Sequence, residues 1–196
     1  MTSIGLSVIL AICSVIRYFI EKVSDFIFHL VFESSKSVKL EAIKDDILLL
    51  SATELASKIR LQRISSEKVV RAFIKRIKSV NGTLNAVVDE RFDEALKDAK
   101  NVDIKIKEAK KNKTLDDIFK NKPFLGVPFT VKDCIAAKGL SYSAGLYKRK
   151  GFKADFDATV IENFKKAGAI SLGKVPTQGG GLSADALKYH EHISRA

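Results

Sequence analysis

Cysteine, histidine and long uncharged runs are scarce in this chain of 196 residues, and each scarcity removes a class of explanation. The two cysteines, Cys13 and Cys134, stand far apart in unlike surroundings. That spacing argues against a disulfide framework and for a reducing or indifferent compartment. Cys134 is expected to be a small core residue, with a reactive thiol beside Lys132 as the alternative. Of the three histidines, His190 and His192 flank Glu191 and cannot share one helix face with it, while His29 stands alone. No metal site is therefore expected, and nothing in the sequence calls for a cofactor. The N-terminal uncharged run, Ile4 to Ile16, is thirteen residues long. A bilayer core asks for about 17 to 25 residues of helix, a length reached only if Ile4 to Ile20 is taken together with Arg17 snorkelling to the interface. The run has no basic residue before it and no A-x-A cleavage pattern after it, so the expectation is an uncleaved anchor or interfacial helix at an intracellular membrane.

What is abundant is lysine. The chain carries 34 Lys and Arg against 23 Asp and Glu, a formal charge of +11, with 46% hydrophobic and 29% charged residues. This composition is globular and suffices for one domain with an added segment. Residues 1–50 hold five basic and six acidic side chains, so the excess lies entirely beyond them. Such a charge favours anionic surfaces. No helix-turn-helix spacing, zinc ligands or aromatic-basic stacking platform accompanies it, and sequence-specific nucleic-acid binding is not expected.

The chain divides in sequence into a hydrophobic N-terminal helix (1–32), a Ser- and Lys-rich linker (33–47), a body (48–174) and a tail (175–196) that includes the triplet Gly179 to Gly181, read as a flexible linker. Ser51-Ala52-Thr53-Glu54 has capping-box spacing and predicts a helix from Ala52 with Leu55, Ala56 and Ile59 on one face. Ser65 or Ser66 with Glu67 predicts a second helix, with Val69, Val70, Phe73, Ile74 and Ile77 inward. Its other face, Lys68, Arg71, Lys75 and Lys78, is either a solvated face or a contact for an anionic membrane. Asn81-Gly82 predicts a turn, Ala86 to Val88 a strand, and Phe92 to Ile106 a helix running into a surface loop after Lys110. Later, Asp157 is expected to cap a helix through Lys166, with Val160, Ile161, Phe164 and Ala167 inward. Gly168 ends it and Ala169 to Leu172 returns as a strand. Two strands joined by a helical crossover predict a parallel pair and an α/β core.

The stretch that organises the body is Pro123 to Asp133, PFLGVPFTVKD. Phe129-Thr130-Val131 reads as a short buried strand that delivers Lys132 at its end, supported by Asp133. A lysine serves as a base at neutral pH only if burial and neighbouring groups lower its ordinary pKa of about 10.4. The pattern G-V-P-F-x-V-K-D resembles the lysine motif of the amidase signature family of serine hydrolases, and the resemblance runs from about Leu48 through Lys174. It implies the N-terminal part of that family's α/β fold, a mixed or parallel sheet with covering helices. It also implies a Ser-Ser-Lys mechanism in which Lys132 is the general base, relaying the nucleophile's proton through a bridging serine, with a glycine-rich loop stabilising the oxyanion.

The triad serines of the family lie in or beyond a G-G-S-S-G-G type segment, and these residues contain none. Ser141 and Ser143, on the loop Gly139 to Leu146, are not expected to replace them, because the family places neither serine function there. By resemblance the activity is hydrolysis of a C–N amide bond, with a lipophilic amide as substrate of the complete family member and a membrane as neighbour. The chain itself, ending before both serines, is expected to be inactive alone. The alternative is a non-catalytic membrane-tethered fragment or basic membrane-surface module, pairing with a full-length partner or a second copy as a homo-oligomer.

Overall fold

The capping box forms as the sequence requires. In the computed structural model, which describes residues 3–30 and 39–177, the Ser51 hydroxyl accepts from the Glu54 amide at 3.3 Å while the Glu54 carboxylate accepts from the Ser51 amide at 2.7 Å. This satisfies two of the orphan amides at a helix start. The chain forms two units, residues 1–40 and 41–196.

The first unit contains α1 (Ser3–Phe28). Its apolar side chains from Val8 to Phe28 are exposed, and Arg17 pairs with Glu21 at 2.9 Å. The expected span is corrected here: among the described residues no helix is long and apolar enough to cross a membrane. Arg17, Glu21, Lys22 and Asp25 fall on successive turns of the helix and cut its apolar length short.

The second unit begins with a short 3-10 turn, Asp46–Leu49, then α2 (Ala52–Arg60), α3 (Ser66–Leu84), β1 (Asp89–Glu90), α4 (Phe92–Lys111), α5 (Leu115–Asn121), β2 (Pro128–Lys132), α6 (Thr159–Lys166) and β3 (Ile170–Val175). The sheet order is β1-β3-β2, with β2 parallel and β1 antiparallel to the central β3. The fold is thus mixed α/β, and the predicted parallel pair is present. Ile170 to Lys174 of β3 are all buried, as a strand covered on both faces must be.

The larger core gathers Leu55 and Ile59 of α2, Val69, Val70 and Ile74 of α3, and Phe92, Ala95, Ala99, Val102 and Ile106 of α4 against Val127, Ile170 and Leu172. Helical spacing alone predicted most of these. The start of α3 is held by a tertiary cap: the Asp103 carboxylate of α4 accepts from the amides of Ser66 at 2.7 Å and Glu67 at 3.0 Å. Ser66, wholly buried, donates its hydroxyl to the Gly126 carbonyl at 2.9 Å. A Cβ on Gly126 would stand 2.6 Å from that hydroxyl oxygen, so glycine is what admits the chain beside α3.

Local expectations fail where side chains are claimed by distant partners. No turn forms at Asn81-Gly82. The helix runs on to Leu84 and stops at Asn85, which takes the left-handed conformation, while the Asn81 side-chain amide both donates to and accepts from the Val87 backbone at 2.8 Å. The strand expected at Ala86 to Val88 lies three residues later, because the pairing that defines it is Asp89 with Lys174 and Glu90 with Gly173. The loop expected after Lys110 contains α5, with Phe119 buried in the core. Asp157 does not cap α6. It accepts instead from the Lys138 amide at 2.8 Å and the Lys165 amine at 2.5 Å. Of the α6 positions expected inward, Ile161 is buried, while Val160 and Phe164 are exposed, Phe164 stacking on Phe129 with ring centroids 5.1 Å apart. His190, His192 and Gly179 to Gly181 lie outside the described residues.

Candidate active site

The motif strand is β2, one residue longer at each end than its apolar run and ending on Lys132; the expected burial holds only for Val131, since Phe129 is half-buried and Thr130 exposed. Lys132 is exposed, and its amine donates to the Pro176 carbonyl at 3.2 Å. The chain then turns tightly, with the Ile135 amide donating to the Lys132 carbonyl at 3.0 Å and the Asp133 amide to the Val175 carbonyl at 2.9 Å. Asp133 was expected to support Lys132. It is buried and points the other way, accepting from the Ser143 hydroxyl, the Ser143 amide at 3.2 Å and the Gly145 amide at 3.4 Å. Burial, the largest influence on this carboxyl, pushes its pKa up; the hydrogen bonds from Ser143 and Gly145 outweigh it and hold the group below its usual 3.8. The Ser143 hydroxyl is thus engaged with a buried carboxylate. Cys134, expected in the core, is exposed, because the turn after β2 carries it outward.

Three carboxylates order the loop that follows. Asp157 takes the Lys138 amide, Asp89 of β1 takes the Ser141 amide at 2.7 Å, and Asp133 takes those of Ser143 and Gly145. Asp133 thereby satisfies two buried loop amides and Asp89 a half-buried one, while the Lys138 amide taken by Asp157 is exposed. Asp157 is held below the ordinary carboxylate range as well: burial raises it most, and the Lys165 amine and Lys138 amide more than reverse that.

The residue that sequence reasoning passed over is Lys174. It is wholly buried, and its amine donates to the Ile135 carbonyl and, at 3.4 Å, to the Lys132 carbonyl. Burial, the dominant cause, lowers its pKa from 10.5, against the pull of Asp133. The preceding residue explains how a lysine comes to lie there. The pairing passes from Phe129 opposite Ser171 to Thr130 opposite Gly173, leaving Leu172 as an extra residue on β3. Bulges of this kind re-aim the side chains beside them. The one available signal was Gly173-Lys174 directly after an apolar strand.

Among the described residues no group of histidine, cysteine and carboxylate side chains is arranged to hold a metal. A cleft of about 650 Å³ lies between α2, α3 and α4, with Arg63, Lys68, Lys100 and Lys107 in its walls. Lys132 is not among them, and the acids of this cleft are engaged: Asp103 caps α3, and Glu67 pairs with Arg71 at 2.6 Å.

Comparison with known proteins agrees with this geometry. The sequence profile of the Amidase family matches residues 68–189, more than half of the chain. The chain is 43% identical over 132 residues to fatty-acid amide hydrolase 2 of Homo sapiens, covering 67% of this chain and 24% of that protein. It is 40% identical over 153 residues to fatty-acid amide hydrolase 2-B of Danio rerio, covering 77% of this chain and 28% of that protein. Among solved structures, a fatty acid amide hydrolase superposes with a TM-score of 0.58 at 26% identity, over 68% of this chain and 22% of that one. The chain spans about a quarter of the length of these relatives. By profile, identity and fold, this chain belongs to the amidase family.

Proposed function

We propose that these residues form the base-bearing portion of an amide hydrolase that cleaves the C–N bond of a lipophilic amide by a Ser-Ser-Lys mechanism, with Lys132 as general base. The observation that carries this reading is the placement of Lys132. It stands at the exposed end of β2, directly after the buried Val131, with its amine resting on the Pro176 carbonyl. Asp133, the adjacent acid, is engaged instead with Ser143 and Gly145 of the following loop. The lipophilic substrate rests on likeness to fatty-acid amide hydrolase 2. Residues 1–196 contain no G-G-S-S-G-G type segment, so this reading assigns them the base and neither serine.

The test begins with transcripts across the Lys174-Val175 junction. An in-frame continuation encoding such a segment is expected, and its product should hydrolyse a long-chain fatty acyl amide with a rate that falls by about 10²- to 10⁴-fold in Lys132→Ala. Residues 1–196 alone should show no turnover. Turnover by 1–196 that Lys132→Ala abolishes would place the missing groups within this chain, and a continuation whose activity ignores Lys132 would end the assignment.

The exposed apolar side chains of α1 favour a second, compatible reading, in which this helix lies at a membrane surface. Flotation of 1–196 with vesicles, lost on removal of residues 1–40, is the expected result; flotation unchanged by the deletion would refute it.

A further inference from the structure

Lysine is seldom buried without a paired acid, because an ammonium withdrawn from water must recover its hydration elsewhere. Lys174 is wholly buried and forms no ion pair among the described residues; its amine is held by two main-chain carbonyls. Both belong to one short segment, Lys132 to Ile135, which is the turn leaving the motif strand. An apolar side chain would fill the same volume without any desolvation cost. What the ammonium adds is direction, since it ties a specific pair of carbonyls to β3.

The Lys132 carbonyl is the shared point. It closes the turn by accepting from the Ile135 amide at 3.0 Å and accepts again from the Lys174 amine. In the opposite sense, the Lys132 amine reaches the carbonyl of Pro176, two residues beyond Lys174. The two lysines thus cross between neighbouring strand ends, each amine bonded to the main chain of the other's segment. We propose that Lys174 is a positioning residue for Lys132: its buried ammonium, gripping the carbonyls of Lys132 and Ile135, fixes the turn from which the Lys132 amine projects. This inference rests on the reading of Lys132 as the base. Burial lowers the pKa of the Lys174 amine most, and the charges that act against it are those of Asp133 and Cys134 of the same turn, Asp89 of β1 and Asp157 before α6.

The test is trace acylation of the full chain with acetic anhydride, resolved residue by residue by mass spectrometry from about pH 7 to about pH 11, the range in which lysines titrate. Wild type, Lys174→Met and Lys174→Arg are compared. In Lys174→Met the acylation rate of Lys132 should change by about tenfold, the equivalent of one charge-assisted hydrogen bond, while exposed Lys68 and Lys148 keep their rates. Lys174→Arg, which restores a cationic donor, should return Lys132 toward its wild-type rate. A cooperatively folded Lys174→Met with an unchanged Lys132 profile would overturn the proposal and leave Lys174 a stability residue only. Should Lys174→Met fail to fold, the wild-type profile decides. Lys132 must then depart from single-site titration across the pH range in which NMR shows the Lys174 amine losing its proton, and a simple single-site curve overturns the proposal. The readout is amine chemistry, not turnover, so an idle Lys132 in the amidase assay would defeat the functional reading while leaving this result intact.

Discussion

A Cβ placed on Gly173 would lie 2.3 Å from the main-chain oxygen of Asp89, so the contact between these two residues is possible only because position 173 has no side chain. Asp89 and Glu90 are the whole of β1, paired through Lys174 and Gly173. Gly173 also holds φ at +151°, where side chains are disfavoured. Gly173→Ala should therefore push β1 off the central strand and cost about 2 kcal/mol or more, the combined scale of backbone strain and overpacking. A lowered urea midpoint checks this, and a midpoint within error of wild type would show that β1 contributes nothing to the fold.

Acid should act through Asp133. Its carboxyl is held below 3.8 in the folded chain, so the native state binds fewer protons than the unfolded state as pH falls toward that range. The stability it contributes is complete above the unfolded pKa of 3.8 and is lost as pH falls through the folded value. Ser143→Ala removes the strongest hydrogen bond opposing the effect of burial, which raises the folded pKa. Acid unfolding of the variant should begin at higher pH, with about 1 to 3 kcal/mol lost at neutral pH for a buried acceptor deprived of its donor. Urea midpoints between about pH 3 and pH 7 test this; parallel curves for the two proteins would exclude a role for Asp133 in acid stability.

Alkali should act in the opposite sense through Lys174. Burial lowers its folded pKa from 10.5, so between the folded value and 10.5 the unfolded chain binds more protons than the native one. Its contribution to stability therefore rises with pH across that window, by at most about 1.4 kcal/mol per pH unit for one group, and is complete above 10.5. Comparing wild type with Lys174→Met isolates this from the other lysines. The difference in stability should widen in favour of wild type as pH rises through the folded value toward 10.5, and a pH-independent difference would show that the Lys174 amine titrates alike in both states.

Near neighbours along the chain set α2, the buried face of α4 and the strand that carries Lys132. Ser51 and Glu54 fixed the start of α2 through contacts three residues apart, and the spacing from Phe92 to Ile106 fixed the buried face of α4, because a helix satisfies its backbone within itself and its amphipathic period is local. The motif strand was equally legible, as a short apolar run bounded by Pro128 and Lys132. Features made by residues distant in the chain waited on the packed fold. The position of β1 depends on a partner about eighty residues later, the partner of Asp133 is a serine ten residues away rather than the lysine beside it, and Asp157 serves Lys138 instead of α6. Lys174 is the clearest case: the apolar strand and Gly173 before it are the one local hint, and they do not say what its amine would meet. A bulge on the central strand and two carbonyls from another strand's end place it there, and hydrogen bonds of that kind follow from which strands lie side by side, which local spacing does not encode.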